Sequence, residues 1–399
     1  MTTITDRVER RIRSDSSTSV ITDQSALDPT AYRVDVAGRG PDIERLLDLL
    51  EPALSADGRP TVYAWGPKGA GKSTILVGVV RAIRRVGGDD RELFYTSTRT
   101  TERDVPVATY LDARSVTSEF AFYRGLLASV IGSEAVPTNG ISTEELRERV
   151  ESALTPRHAA LIVTDHLDDT RAPPATEIAS WIDGLETRTA WVASGRSPPD
   201  DVDIAFDHYL EFDPYRHHTL VDILTGRADA GLTSGSIMHD QLDAIAEWAD
   251  GDAHDALVAL FVAARAAAAS DDHRIDDDTR ARAVERLPDD CVSLHRVFAL
   301  PADRRELLYR FGALSTTETA SVGATAKALA SHPAIELQAS TVKRLLYELT
   351  EDGLFRRIDG ESDGRGRPPS TLEPRFPVSV FMALHDSDSD SDSDSNPNE

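Results

Sequence analysis

The 399-residue sequence predicts an α/β fold: a parallel five-stranded sheet on a glycine-rich loop, then an all-α region, then a C-terminal winged helix pattern. Three observations carry this. An apolar strand, Thr61-Val62-Tyr63-Ala64-Trp65, feeds the loop Gly66 to Ser73, and Thr74 to Val80 continue with helical character. Apolar strand-like runs then recur in alternation with helical segments, the pattern of parallel strands covered on both faces. From Pro214 onward the spacing turns helical, and the chain closes with three helices, a strand, a Gly/Arg-rich loop and an apolar return.

The loop Gly66-Pro67-Lys68-Gly69-Ala70-Gly71-Lys72-Ser73 matches G-x-x-x-x-G-K-[ST], the phosphate-binding loop of P-loop NTPases. Glycines let the chain curl so that successive backbone N–H groups face phosphate oxygens. Lys72 brings a point charge to the β/γ phosphates, and the Ser73 hydroxyl is a ligand for Mg²⁺. The helix that follows points its positive dipole end at the same place. Lysine occurs only at positions 68, 72, 327 and 343, so a chance match is improbable on composition alone. The cofactors expected are ATP or ADP with Mg²⁺.

Composition narrows the class. The net charge is −25 and 40% of residues are hydrophobic, which excludes wholesale disorder while implying an acidic surface. Abundant Asp with Arg as almost the only base resembles proteins of extreme halophiles, whose acidic surfaces stay hydrated in concentrated salt. The single cysteine, Cys291, excludes an internal disulfide framework and a cysteine-based zinc site, and suits a small core residue better than a reactive thiol. No apolar run reaches transmembrane length and the N-terminus is charged, so a cytoplasmic protein without membrane contact is expected.

Residues 1–17 read as a polar, flexible arm. Residues 18–213 form the nucleotide-binding base, with Val20 to Pro29 lying across its edge and Pro41 opening a helix whose apolar positions are Ile43, Leu46, Leu47 and Leu50. Its further strands are expected at 105–112, 159–165, 189–194 and 208–212, and helices at 120–131 and 142–154. Residues 214–290 form an all-α lid, with helices at 219–230, 238–248 and 254–269 and a fourth capped by Asp276-Asp277-Asp278. Residues 291–383 form the winged-helix unit, with helices at 301–311, 322–331 and 340–352. Residues 384–399 alternate Asp and Ser and read as a disordered acidic tail.

Hydrolysis by a P-loop ATPase needs an acidic pair at the end of the third strand, one carboxylate for Mg²⁺ and the next to polarise water. Here Asp165 fills the metal role, together with Ser73, but His166 stands where Glu is expected. His166 is therefore a doubtful base, since an imidazole carries no negative charge. Asp168 and Asp169 follow closely and suit capping or solvated roles better than substitution for that Glu.

The chain resembles the archaeal replication-initiator AAA+ ATPases, the group of origin recognition complex subunit one and cell division control protein six. The resemblance covers roughly residues 18–383. It rests on Gly38-Arg39, the loop 66–73, Asp165, Phe212-Asp213-Pro214-Tyr215, Ile223-Leu224-Thr225-Gly226-Arg227-Ala228, Gly251-Asp252-Ala253 and the winged-helix pattern. It implies an AAA+ base, a lid and a winged helix, with the nucleotide contacted also by Tyr215 and Arg227. It implies double-stranded DNA as partner, and a replicative helicase or other initiator subunits as further partners. The departures cluster at the catalytic machinery: His166 for Glu, Ser194-Gly195 where the family places Asn, no usual arginine-finger pattern over 196–206, where Arg196 itself remains a candidate, and His254 where the lid sensor would be Arg. Together they imply nucleotide binding with slow or absent turnover.

A chain at −25 needs a locally basic face to meet DNA. Lys343 and Arg344 fall on the expected recognition helix, Arg356 and Arg357 on the strand entering the wing, and Arg365 and Arg367 at its tip. The sequence thus points to an origin-recognising, DNA-binding initiator with nucleotide as a slow switch. A transcription, plasmid or defence regulator of the same layout is the alternative. A small-molecule kinase is disfavoured, because the lid leads directly into the winged helix.

Overall fold

Strands buried on both faces, with side chains alternating between two apolar layers, organise the N-terminal half of the chain. The computed structural model describes residues 19–33, 37–55, 58–87, 105–137, 140–154, 159–270, 274–359 and 370–394, with side chains up to residue 386. The arm at 1–17 and the wing-tip residues Arg365 and Arg367 lie outside the described residues. The chain divides into two compact units, Tyr32–Thr219 and a second formed by Met1–Ala31 with Leu220–Glu399.

The first unit runs α1 (Gly40–Leu54), β1 (Thr61–Trp65), α2 (Lys72–Gly87), β2 (Val107–Asp112), α3 (Glu119–Ile131), α4 (Thr143–Leu154), β3 (Ala159–Asp165), α5 (Ala175–Asp183), β4 (Arg188–Gly195) and β5 (His208–Glu211). The five strands form one sheet in the order β2-β3-β4-β1-β5, and every neighbouring pair is parallel. Successive residues feed opposite faces, as strand geometry requires. Tyr63, Ile162 and Trp191 pack under Phe122, Leu126, Val150 and Ile178 from α3, α4 and α5. Val62, Leu161, Val163 and Val192 pack under Leu46, Leu50, Ile75 and Val79 from α1 and α2. Each fully buried side chain of this size stabilises by roughly 1.5–3 kcal/mol over exposure. The register pairs Trp65 with Gly195 and Asp112 with Asp165, so the strands finish along one edge, beside the loop that follows β1.

In the second unit the N-terminal segment joins helices. Ile21 bridges antiparallel to Leu232, and Asp23 caps the short turn Gln24–Leu27 by accepting from Ser25 and Ala26 N–H. Helices α6 (His217–Gly231), α7 (His239–Ala249), α8 (Ala253–Ala268) and α9 (Asp277–Glu285) follow. Helix α8 is buried almost all round, which explains its run of alanines: small side chains let neighbouring helices approach. Asp276 caps α9 by accepting from Thr279 N–H at 2.8 Å.

After the short α10 (Leu294–Phe298) come α11 (Ala302–Gly312), α12 (Val322–Ala330), α13 (Ala339–Glu351), β6 (Phe355–Asp359), β7 (Ser370–Pro374) and α14 (Val378–Asp394). Strands β6 and β7 form a separate antiparallel ribbon. Val342, Leu345, Leu346 and Leu349 give α13 one buried face, and Phe298, Phe311, Phe355, Phe376 and Phe381 form a chain of ring contacts beneath the ribbon. Three elements differ from the sequence pattern. Helices α5 and α10 are not among those the spacing picks out. Helix α14 continues to Asp394, through alternating Ser and Asp of low helix propensity that read as tail.

Candidate functional site

The loop after β1 is shaped by glycine. Gly66, Gly69 and Gly71 take φ of 148°, 71° and 83°, a region where a side chain is strained. A Cβ at Gly66 would strike the Phe212 carbonyl, and one at Gly71 the Tyr215 hydroxyl. Lys72 opens α2 as a buried residue, and its Nζ donates to the Gly66 and Pro67 carbonyls at 2.7 and 2.8 Å. Burial lowers the Lys72 ammonium to about 8, against the pull of Asp165 and Asp168.

Asp165, at the end of β3, has no exposure to solvent. Its Oδ1 accepts from His166 N–H at 2.9 Å and from the Ser194 hydroxyl, and its Oδ2 from the Tyr110 hydroxyl at 2.8 Å. Ser73 hydrogen-bonds the same carboxylate. Burial alone would raise Asp165, but the neighbouring His166 and the Ser194, Ser73 and Tyr110 hydroxyls outweigh it and hold the group ionised, below the ordinary carboxylate range. Hard oxygens of Ser73 and Asp165 side by side form a donor set suited to Mg²⁺, next to backbone N–H groups and an ammonium suited to phosphate.

His166 adopts φ 67°, one of two non-glycine residues among those described with positive φ. Its Nδ1 lies 3.4 Å from Asp165 Oδ1, while the buried Nε2 has no partner among the described residues. The two carboxylates that follow are both engaged. Asp168 pairs with Arg196 at 3.5 Å, and Asp169 accepts from Arg171 N–H and Nε at 3.1 and 3.2 Å. Tyr215 is buried, with its ring 4.1 Å from the Arg39 guanidinium carbon, and Arg39 also donates to the Asp213 carbonyl and pairs with Asp42. Burial raises the Tyr215 hydroxyl, partly offset by Arg39.

The structure gathers Gly66 to Ser73, Asp165, His166 and Tyr215 in the first unit. It adds Tyr110, which the sequence pattern did not single out, and supplies the contacts of Ser194 and Arg39, which the resemblance named only by position. Their signal was positional, since Tyr110 and Ser194 lie near the carboxyl ends of strands β2 and β4, flanking β3.

In the second unit, Arg227 is buried and donates to the Ala26, Asp28 and Ala31 carbonyls at 3.1, 3.1 and 3.0 Å, holding the N-terminal segment. His254 is likewise engaged: its Nε2 accepts from Leu294 N–H at 3.0 Å, and its Nδ1 faces Asp255 Oδ1 at 3.0 Å. Those bonds use both ring nitrogens, so the proximity of His254, Asp255 and Cys291 leaves no imidazole lone pair for a metal. Cys291 is buried, with Sγ against the Val292 carbonyl.

Of the side chains expected to meet DNA, Lys343 and Arg344 lie on α13 and Arg356 and Arg357 on β6, while Arg365 and Arg367 lie outside the described residues. Arg344 pairs with Glu348 at 2.8 Å, Arg356 with Glu373 at 2.6 Å, and Arg357 with Asp359 at 3.2 Å. Lys343 Nζ lies 5.9 Å from the Tyr347 ring centroid.

Residues 35–193 match the family model described as an AAA ATPase domain. An ORC1-type DNA replication protein of Pyrococcus furiosus is 23% identical over 380 residues, covering 87% of this chain and 84% of that one. ORC1-type DNA replication protein 9 of Halobacterium salinarum is 25% identical over 263 residues, covering 63% and 67%. Among solved structures, the Aeropyrum pernix Orc1 protein in complex with DNA superposes with a TM-score of 0.58 at 19% identity, covering 94% of this chain and 100% of that one. Cdc6p of Pyrobaculum aerophilum gives 0.54 at 18% identity, with 94% and 100% covered. A parallel sheet carrying an intact phosphate loop with a buried carboxylate beside it is the P-loop NTPase arrangement, and the AAA ATPase match over residues 35–193 gives this part of the chain the AAA+ fold. Within that class, the chain is similar to archaeal ORC1-type DNA replication proteins, at 23% and 25% identity. No helix among the described residues is long and apolar enough to cross a membrane.

Proposed function

We propose that this protein is a DNA-binding initiator of the ORC1 type whose nucleotide acts as a slow or non-turning-over switch. The first unit binds ATP or ADP: loop N–H groups and Lys72 take the phosphates, and Ser73 with Asp165 hold Mg²⁺. When bound, the ion supplies charge neutralisation at the phosphates. Tyr215, stacked on Arg39, supplies an aromatic wall above Gly71.

The observation that carries the slow-switch reading is the fate of every acid after β3. The position that would polarise water is His166, turned toward Asp165, while Asp168 and Asp169 each face an arginine. No carboxylate among these is left to orient a nucleophilic water. The winged arrangement of α11, α12, α13 and the β6–β7 ribbon supports duplex DNA as the partner, as does the Aeropyrum pernix relative that was solved with DNA.

The test is Mg-ATP binding and turnover by the purified protein in high-KCl buffer, beside Lys72→Ala. Binding that Lys72→Ala abolishes, with turnover no higher than in that variant, is the expected result. Turnover far above Lys72→Ala overturns the slow-switch reading and leaves nucleotide binding standing. Absence of nucleotide binding in the wild type overturns both.

A further inference from the structure

We infer that Glu348 and Glu373 are built-in counter-ions of the DNA-facing surface, occupying the arginines that would otherwise meet phosphate and so setting its affinity. This rests on the reading of α13 and the ribbon as a duplex-DNA surface. Glu348 is shared between two guanidinium groups, Arg304 of α11 on Oε2 at 3.1 Å and Arg344, one turn earlier on α13, on Oε1 at 2.8 Å. Both carboxylate oxygens are therefore committed. Arg304 and Glu348 are half-buried, whereas Arg344 keeps 68% of its side-chain exposure.

On the ribbon, Arg356 lies directly opposite Glu373 in the antiparallel register, and both Nε and Nη2 donate to one carboxylate oxygen, at 2.9 and 2.6 Å. The surroundings reinforce the pairing. Arg356 and Arg375 line a cleft with Glu285, Asp289, Asp290 and Glu373, and Arg375 is itself paired with Asp290 at 2.8 Å. Four carboxylates thus face two guanidinium groups there, so Arg356 sits in an environment that is net acidic. Of the described side chains expected to contact DNA, only Lys343 has no carboxylate partner among the described ion pairs.

The chemistry follows from competition. A phosphate oxygen gains Arg344 or Arg356 only by displacing a carboxylate that then remains close to the DNA and repels it. Each such exchange cancels most of the electrostatic gain, and with it the counterion release that makes phosphate binding salt-sensitive. Replacing one carboxylate by its uncharged isostere frees a guanidinium without altering the fold. A freed phosphate contact steepens the dependence of log Kd on log salt by about 1.

The experiment measures Kd for a fluorescent duplex across a KCl series with the full chain. It compares the wild type with Glu348→Gln, Glu373→Gln, their double variant, and Glu351→Gln, which changes the charge equally at the exposed end of the same helix. Glu348→Gln and Glu373→Gln are each expected to bind about 3- to 10-fold tighter at low salt with a slope steeper by about 1, additively in the double variant, while Glu351→Gln shifts Kd less than about 2-fold. Duplex binding that is unchanged in these variants overturns the counter-ion inference and leaves the DNA reading intact. Equal tightening by Glu351→Gln also overturns it, because the effect is then one of net charge. No duplex binding by any variant overturns the DNA reading, and the inference with it.

Discussion

Asp165 is a carboxylate with no contact with water, and against its burial the neighbouring His166 and the Ser194, Ser73 and Tyr110 hydroxyls keep it charged. A hydrogen bond to a buried charge contributes about 1.5–3 kcal/mol, more than a neutral one. Ser194→Ala removes the donor to Oδ1 and is expected to cost about 2 kcal/mol in chemical denaturation of the Mg-free protein. Tyr110→Phe removes the donor to Oδ2 with a cost of the same order. The double variant should lose less than the sum, because both report on one charge. Costs below about 0.5 kcal/mol for both would show that other donors replace them. The loop Gly66 to Ser73 was legible in sequence because each atom's task is set by spacing within eight successive residues. The contacts of Tyr110 and Ser194 were not, because these residues stand 55 and 29 residues from Asp165 and meet it only through the strand order. Arg227 was legible as an important arginine but not in its partners, which lie about 200 residues earlier in the chain.

At the scale of elements, alternating apolar faces made the strands readable, and helical spacing made the long helices readable. What the pattern lacked was pairing. Strand β5 is a case in point: its burial pattern is mostly exposed, and only Leu210 is buried. It is held at its start by a reciprocal tie to β1. Asp207 Oδ2 accepts from Thr61 N–H and Oγ1, and Asp207 N–H donates to Thr61 Oγ1, each at 2.9 Å. Backbone and side-chain hydrogen bonds from Thr61 hold the Asp207 carboxyl below its ordinary value. Its folded-state value is therefore the lower one, so its contribution is complete above the unfolded value near 4 and is lost as pH falls through the folded value. Asp207→Ala is expected to destabilise by about 1 kcal/mol at neutral pH. The difference from wild type should shrink only below about pH 4. A difference that disappears already at pH 6 would assign the effect to another group.

At the scale of the whole molecule, charge decides the conditions under which the fold operates. The described arginines of α13 and β6 are paired internally, and the chain as a whole carries −25. Such a surplus repels itself in the compact state more than in the expanded chain. Screening shortens the reach of that repulsion from about 10 Å at 0.1 M salt to about 3 Å at 1 M. Raising KCl over this range is expected to increase Tm by at least about 5 °C, on the order of 1–2 kcal/mol for units of this size. The cause can be separated from a general salting-out of apolar surface by pH. Near pH 5, close to the sequence pI of about 4.8, the net charge nearly vanishes and with it the screening term. If self-repulsion is responsible, the KCl-dependent gain in Tm should be large at pH 7.5 and small at pH 5, with NaCl and KCl equivalent. A gain of equal size at both pH values would instead place the salt effect in burial of apolar surface, which does not titrate.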